Sequence, residues 1–375
     1  MRFLHTADWH LGKLLHGEHL TPDQRGLLRQ LCEIVDEESP DVVLMAGDVY
    51  DRSVPPSDAV ELLDDVLSEL VLELDTPVVA IAGNHDSPDR LEFGSRILKR
   101  QGLHVFSKPT AEPRAVTLED EHGPVRITGL PYVFEDSEIK THDEVLAAQA
   151  EAARSALPED ERAIAVAHVF AQGGALADSE RPLAVGGAET VHASRFDGFD
   201  YVALGHLHRR QSVEDGRIEY AGSLMKYSFD ETGHAKSVNL VEMDGEGHCT
   251  VEQIPLEPER DLRRIEGTLS EIQSGPAPDA NRQDYIWATL QDEGPVVDAM
   301  SRIRETYPNA LHVEHPTRAD VSSLGGLASD LQSQSEEEVF EEFATHVVGE
   351  ASLSEGHREA LEEAFERLRE AEREA

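Results

Sequence analysis

Short apolar runs that alternate with amphipathic segments constrain the fold of this chain most strongly. DVVLMA at 41–46 and PVVAIA at 77–82 are continuous apolar segments of strand length. The segments at 21–39 and 57–74, each just ahead of one of these runs, place apolar residues three and four positions apart, as on one face of a helix. Continuous apolar strands separated by helices are typical of a mainly parallel sheet that is covered on both faces.

A second set of strands is predicted between residues 114 and 256, with a helix at 142–157. Within it, AIAVAH at 163–168 and FDYVALGHLH at 199–208 are strand ends that contain or precede histidines. We therefore expect a four-layer α/β fold, in which two mixed β-sheets pack face to face and helices flank them.

The composition changes at PLEPERD, residues 255–261, where prolines and charges replace the strand pattern. We predict a large α/β domain at residues 1–256, followed by a small α+β capping domain at 257–317, a polar linker at 318–335 and a helical tail at 336–375. Apolar residues recur at helical spacing in the tail, which favours docking on a partner over a solvated segment. Folding of the tail back onto the body is the alternative.

The chain has 75 acidic and 33 basic residues, giving a formal net charge of −42. Hydrophobic periodicity along most of the chain argues against a disordered acidic protein. An acidic, solvated surface favours a protein of a high-salt cytoplasm, and an ordinary acidic protein is the alternative. No stretch approaches the roughly 18 apolar residues of a membrane span, and the first strand begins without a targeting segment, so we expect a cytoplasmic protein with no membrane contact.

Polar side chains follow the predicted strands at their carboxyl ends, where α/β sheets place their sites. They are Asp8, His10, Asp48, Asn84, His85, His168, His206 and His208. Carboxylate, amide and imidazole groups suit a divalent ion such as Mn²⁺, and the set is large enough for two ions that share one carboxylate. Gly47, Gly83 and Gly205 each precede a predicted ligand, where we expect a sharp turn that needs permissive backbone.

Five motifs in this order, TADWHLGK, GDVYD, GNHD, the histidine of AHVF and GHLH, resemble those of the calcineurin-like metallophosphoesterase superfamily. More narrowly, residues 1 to about 255 are similar to the SbcD family of nuclease subunits, and the remainder is similar more loosely. The resemblance implies that one ion is held by Asp8, His10, Asp48 and His208, and the other by Asp48, Asn84, His168 and His206. It also implies that His85 is not a ligand but a catalytic residue that reaches toward the scissile phosphate.

The same resemblance implies a Mn²⁺-dependent DNA exonuclease and endonuclease that acts in DNA end processing. Its implied partners are DNA, a second copy of the chain and an SbcC-type SMC-like ATPase subunit. The resemblance implies that the chain forms a homodimer within a heterotetramer with that subunit. The chain contains no GxxxxGK[ST] segment, so ATP hydrolysis at a P-loop is expected of that subunit. Two alternatives stay open: a phosphoprotein phosphatase or nucleotide phosphodiesterase of the same superfamily, and a catalytically silent scaffold.

The sequence also suggests roles for four polar residues outside this set. Asp86 is expected either to orient His85 or to lie on the surface. His5 is expected to pack beneath the site, His16 to lie in a solvated loop, and Lys226 either to contact a phosphate or to have no such role.

Overall fold

The computed structural model describes residues 1–133, 141–158, 161–174, 190–214, 216–277, 280–292 and 296–315. The predicted linker and tail lie outside the described residues, as do the last two residues of the predicted capping domain. The strands are β1 (Arg2–Thr6), β2 (Leu14–Leu15), β3 (Glu18–His19), β4 (Val42–Met45), β5 (Val78–Ile81), β6 (Leu103–Phe106), β7 (Ala115–Asp120), β8 (Gly123–Leu130), β9 (Arg162–His168), β10 (Phe170–Ala171), β11 (Thr190–Val191), β12 (Tyr201–Gly205), β13 (Gln211–Val213), β14 (Ile218–Tyr220), β15 (Ser237–Met243), β16 (Cys249–Pro255), β17 (Leu262–Gly267), β18 (Tyr285–Leu290) and β19 (Ala310–Glu314). The helices are α1 (Thr21–Glu38), α2 (Ser57–Ser68), α3 (Pro88–Leu91), α4 (Ser95–Leu98), α5 (His142–Ser155), α6 (Leu269–Gln273) and α7 (Ala299–Arg304).

Two six-stranded mixed sheets form the centre of the molecule. The first has the order β16-β15-β1-β4-β5-β6, with β1, β4, β5 and β6 parallel and β15 antiparallel to β1. The second has the order β13-β14-β12-β9-β8-β7, with four parallel strands in the middle and an antiparallel strand at each edge.

The apolar runs are continuous because both faces of the central strands are buried. In β4, Val42 and Leu44 lie in the core between the two sheets, whereas Val43 and Met45 lie in the core beneath α1 and α2. The outer face of the second sheet is covered by α5. This arrangement of helix, sheet, sheet and helix confirms the predicted four-layer α/β fold.

The segment predicted as one helix at 57–74 forms an α-helix followed by a π-helical turn. Regular α2 ends at Ser68, and Glu69–Glu73 continue as a wider π-helical turn. Leu70 and Val71 in that turn are buried, so the wider turn still presents apolar side chains to the core.

A smaller unit, residues 257–315 where described, contains the parallel sheet β17-β18-β19 with α6 and α7 packed against it. We call it the C-terminal unit. It shares a core with the main body, because Leu262 and Tyr285 lie in the same apolar cluster as Leu27 and Leu28 of α1. Buried Asp23 of α1 also accepts hydrogen bonds from the Tyr285 hydroxyl at 2.9 Å and from the Arg260 guanidinium at 2.6 Å and 2.8 Å.

Candidate metal centre

The eight predicted site residues all lie at the carboxyl ends of parallel strands, on the loops that follow β1, β4, β5 and β12 and at the end of β9. Both sheets therefore contribute to one site. The backbone joins the loops directly, since the amide of Asp8 donates to the Gly47 carbonyl at 3.1 Å and the amide of His10 donates to the Asp48 carbonyl at 2.9 Å. The amide of His206 in turn donates to the Asp8 carboxylate at 2.9 Å, which joins the second sheet to the first.

Asp48 occupies the centre of the cluster. Its Oδ2 lies 3.6 Å from Nε2 of His10 and 3.4 Å from Nε2 of His168, so one carboxylate oxygen faces imidazoles from both sheets. Its Oδ1 accepts a hydrogen bond from the backbone amide of His85 at 2.9 Å. The Asp48 side chain is 4% exposed, which makes an unneutralised charge there unfavourable.

On one side of Asp48, the Nε2 atoms of His10 and His208 face each other at 3.1 Å. On the other side, the Asn84 side-chain oxygen lies 2.9 Å from Nε2 of His168 and 3.2 Å from Nδ1 of His206. These two groups of ring nitrogens and oxygens flank the same carboxylate.

Several residues of the site have backbone angles that are rare for residues other than glycine. The φ angles of Asp8, His10, Asp48 and His206 are +52°, +44°, +49° and +105°. Such angles persist only where the surrounding structure enforces them, and they concentrate at functional sites. The loop after each strand therefore turns sharply enough to aim its side chain into the centre.

The glycines next to the ligands serve two different purposes. Gly47 has φ +87°, so the predicted need for permissive backbone holds there. At Gly83 and Gly205 that explanation is wrong, because the limitation is space: a Cβ would lie 2.1 Å from Asp48 Oδ1 and 2.0 Å from the Ala46 carbonyl oxygen, respectively.

Burial and mutual charge set the protonation of the site. Burial lowers the pKa of His206 to about 3 and that of His10 to about 4, so both rings are neutral and able to act as ligands. Burial alone would lower the pKa of His168, but the Asp48 charge outweighs it and raises the pKa to about 9. Burial raises the pKa of Asp8, because its carboxylate has little water and a second carboxylate nearby.

These residues fit divalent metal ions. The carboxylates of Asp8 and Asp48 and a ring nitrogen of His10 offer ligand atoms that all lie within 4.8 Å of one another. A second such group combines His10, Asp51 and His85. The facing Nε2 atoms of His10 and His208 would set lone pair against lone pair if both rings were neutral with hydrogen on Nδ1, and a bound cation relieves that repulsion.

His85 lies beside this cluster with its ring half-buried. Its Nδ1 lies 2.8 Å from the backbone carbonyl of Asp51, and its ring packs edge-on against His10 with centroids 4.7 Å apart. The expectation that Asp86 orients His85, or lies on the surface, is wrong. Asp86 is buried and its carboxylate accepts from the backbone amides of Val49, Tyr50 and Gly83, which ties the β4 and β5 loops together.

The other polar residues considered in the sequence have structural partners. His5 is buried between the sheets, as expected. Lys226 pairs with Asp261 of the C-terminal unit at 2.8 Å, a contact between the two units. His16 is exposed in the turn between β2 and β3, as expected, and its ring also contacts Trp287 of the same unit with centroids 5.8 Å apart.

Sequence reasoning missed the layer of residues behind the ligands. Gln24 of α1 donates to the backbone carbonyls of Trp9 and His10 at 3.0 Å and 2.8 Å and to the Tyr227 hydroxyl at 3.0 Å. Glu231 contacts Nδ1 of His208 at 3.1 Å. Neither residue lies in a motif, so no local signal could have identified them.

Comparison with known proteins bears on this site directly. Residues 1–210 match the family described as calcineurin-like phosphoesterase, a stretch that contains all eight predicted site residues. The chain belongs to the calcineurin-like phosphoesterases. A second match, to the family SbcD_C, described as the Type 5 capsule protein repressor C-terminal domain, covers residues 258–347 and so begins where the C-terminal unit begins.

Among solved structures, this phosphoesterase is similar to a dimetal phosphatase from Danio rerio, with 16% identity over 69% of this chain and 99% of that chain and a TM-score of 0.42. It is also similar to Yfce, a phosphoesterase from E. coli, with 16% identity over 68% and 100% of the two chains and a TM-score of 0.28. No helix among the described residues of the phosphoesterase is both long and apolar enough to cross a membrane.

Proposed function

We propose that this phosphoesterase is a Mn²⁺-dependent DNA nuclease, both exonuclease and endonuclease, and the nuclease subunit of an SbcCD-type complex. The observation that carries the proposal is the position of Asp48, whose Oδ2 lies 3.6 Å from His10 and 3.4 Å from His168. A carboxylate between two sets of nitrogen and oxygen ligands is suited to bridge two ions, and two-ion sites are a recurrent solution for phosphodiester hydrolysis.

In this proposal the two ion sites share Asp48 and take their other ligands from opposite sides of it. The first consists of Asp8, His10, Asp48 and His208, and the second of Asp48, Asn84, His168 and His206. Ions bound there would activate a water molecule and neutralise charge on the phosphodiester. The protein's own part is to hold these ligands rigidly, which the buried hydrogen bonds among the loops support.

His85 is proposed as the catalytic residue outside the ligand set. Its Nδ1 donates to the Asp51 carbonyl, so its Nε2 can donate a proton only when the ring carries both hydrogens. A cationic His85 beside the ligands could stabilise charge on the phosphate or protonate the leaving 3′ oxygen.

The match of residues 258–347 to SbcD_C supports the nuclease role over a phosphoprotein phosphatase or a nucleotide phosphodiesterase. We propose an SbcC-type ATPase subunit as the partner, with the chain beyond the C-terminal unit, residues 336–375, as the segment that docks on it. A second copy of the chain is the other proposed partner. Two exposed apolar side chains support it: Phe93, between α3 and α4, is 87% exposed, and Ile97 of α4 is 77% exposed.

The net charge of −42 opposes DNA binding. Three arginines that could attract the DNA backbone are already paired with carboxylates. Arg210 pairs with Glu219 at 2.9 Å, and Arg263 and Arg264 pair with Asp284 and Asp230 at 2.6 Å each. Nuclease assays should therefore span low to molar salt, because at 1 M the Debye length is only about 3 Å and repulsion by the acidic surface is screened.

The decisive experiment compares wild type, Asp48→Asn and His85→Gln on end-labelled duplex and hairpin DNA with Mn²⁺, with metal content measured by mass spectrometry. Asp48→Asn should abolish cleavage and reduce two bound ions to one or none, because the shared ligand loses its charge. His85→Gln should keep both ions and lose about 10²–10⁴-fold in rate, because glutamine cannot transfer a proton.

His248→Gln is the matched control, since His248 is 77% exposed and lies away from the motifs, and it should cleave like wild type. Full activity of Asp48→Asn would refute the two-ion site. Loss of metal in His85→Gln would make His85 a ligand. Turnover of a phosphopeptide or a cyclic nucleotide, with no cleavage of either DNA at any salt concentration, would replace the nuclease proposal with one of the phosphatase alternatives.

A further inference from the structure

Glu231 is a buried carboxylate outside every motif of the family resemblance. Its side chain is 0% exposed, and it lies in the segment between β14 and β15. Its Oε1 contacts Nδ1 of His208 at 3.1 Å, and its Oε2 accepts from Nζ of Lys236 at 2.6 Å. A buried carboxylate is costly unless it is paired, so this arrangement needs both partners.

The Lys236 side chain contacts the backbone of the same histidine. Its Nζ donates to the His208 carbonyl oxygen at 2.7 Å and to the Ser223 hydroxyl at 2.8 Å, in addition to Glu231. The Lys236 side chain is 5% exposed. The imidazole and the main chain of His208 are thus fixed by the two members of one buried ion pair.

The contact with Glu231 decides which ring nitrogen of His208 carries hydrogen. A carboxylate only accepts hydrogen bonds, so Nδ1 must be the donor. In a neutral ring, Nε2 then carries the lone pair and no hydrogen, and this is the atom that faces Nε2 of His10 at 3.1 Å. This is the tautomer that a metal ligand needs at that position.

The ligands on the far side of Asp48 are supported differently. Nδ1 of His168 donates to the Ala46 carbonyl at 2.9 Å, and Oδ1 of Asp8 lies 3.9 Å from the same nitrogen, beyond hydrogen-bond distance. On the near side, Nδ1 of His10 faces Oδ1 of Asp51 at 3.5 Å, and Asp51 pairs with Lys13 at 2.8 Å. Among the described residues, a carboxylate paired with a lysine therefore lies behind His10 and behind His208, whereas a backbone carbonyl supports His168.

We propose that Glu231 is a positioning residue that holds His208 in the tautomer with no hydrogen on Nε2, with Lys236 fixing both, and so sets the affinity of one of the two metal sites. The inference rests on the proposed two-ion site. It extends that site to a residue that touches neither substrate nor metal and acts through His208.

The test is calorimetric titration of the metal-free protein with Mn²⁺ alone, without DNA, for wild type and Glu231→Gln. In the variant, the glutamine side-chain oxygen accepts the hydrogen bond from Lys236, so its NH₂ group faces Nδ1 of His208. Nδ1 must then accept a hydrogen bond, and the ring hydrogen moves to Nε2. The affinity for one of the two ions should fall about 10- to 100-fold, as is typical when the residue behind a metal-binding histidine is changed.

Glu219→Gln is the control, because Glu219 is also a buried glutamate in an ion pair, with Arg210, but contacts no predicted ligand. It should bind both ions like wild type. Unchanged affinity for both ions in a folded Glu231→Gln protein would overturn the inference and leave the proposed function intact. Failure of wild type to bind two ions would instead refute the two-ion site itself.

A second measurement does not require Glu231→Gln to fold. Long-range ¹H–¹⁵N spectra of the metal-free wild type, with the His208 signals identified by their loss in His208→Asn, report the ring tautomer. Hydrogen on Nδ1 supports the inference, and hydrogen on Nε2 overturns it.

Discussion

His5 makes stability depend on pH in a way that the structure lets us calculate. The ring is 0% exposed on β1, between the two sheets. Its Nε2 donates to the Leu204 carbonyl at 3.1 Å, and its Nδ1 lies 3.1 Å from the Tyr201 hydroxyl. Burial lowers its pKa from 6.5 to about 3, and the charge of Arg210 acts in the same direction.

The sign follows from proton binding. Because the folded pKa lies below the unfolded one, the unfolded chain takes up the proton first as the pH falls. The contribution of neutral His5 to stability is complete above pH 6.5 and decreases as the pH falls from 6.5 toward about 3. The full difference corresponds to about 5 kcal/mol, and linkage gives about 2 kcal/mol lost between pH 7 and pH 5.

His5→Gln removes the titration while keeping the contacts, since the amide nitrogen can donate to Leu204 and the amide oxygen can accept from Tyr201. Urea unfolding of the metal-free proteins at pH 7 and pH 5, at one salt concentration, gives the free energies of unfolding. We expect the variant to lose about 2 kcal/mol less than wild type between these two pH values.

The contribution of the other buried histidines to the pH dependence is the same in the variant and in wild type, so it cancels when the two are compared. His248→Gln is again the control for replacing a histidine by glutamine, because its ring is 77% exposed. Equal pH dependence in wild type and His5→Gln would refute the argument that the buried His5 ring is kept neutral.

Three further predictions concern the contacts of the C-terminal unit and the proposed partners. Asp23→Asn should lower the free energy of unfolding by about 2 kcal/mol and expose the C-terminal unit to limited proteolysis, because the charge-assisted bonds from Arg260 are lost; a wild-type digestion pattern would contradict this. If the exposed Phe93 and Ile97 side chains form a dimer contact, Phe93→Ser with Ile97→Ser should halve the mass measured by light scattering at high salt, and a monomeric wild type would exclude the dimer. Deletion of residues 336–375 should abolish co-purification with an SbcC-type ATPase while Mn²⁺-dependent cleavage of simple DNA persists, and retained co-purification would place the interface elsewhere.

The sequence alone determined the fold class and the composition of the candidate site. The apolar runs of β4 and β5 were correctly predicted to be strands. Both faces of these strands are buried, so every residue is apolar and the pattern is visible in a short stretch of sequence. Asp48 and Asn84 could be found for a related reason: the end of a buried strand is where the chain must turn, and polar residues at several such ends meet at one edge of the sheet.

Only the tertiary structure decided how these parts act together. Contacts such as His10 with His208, or Glu231 with His208, join residues that are distant in sequence or lie in no motif, and no periodicity encodes them. The same holds for Asp86, whose sequence position beside His85 suggested an interaction, whereas the folded chain gives it three backbone amides to satisfy. A local pattern reports which face of an element is buried, but the hydrogen-bond partner of a buried polar group depends on which elements the completed fold brings within about 3 Å.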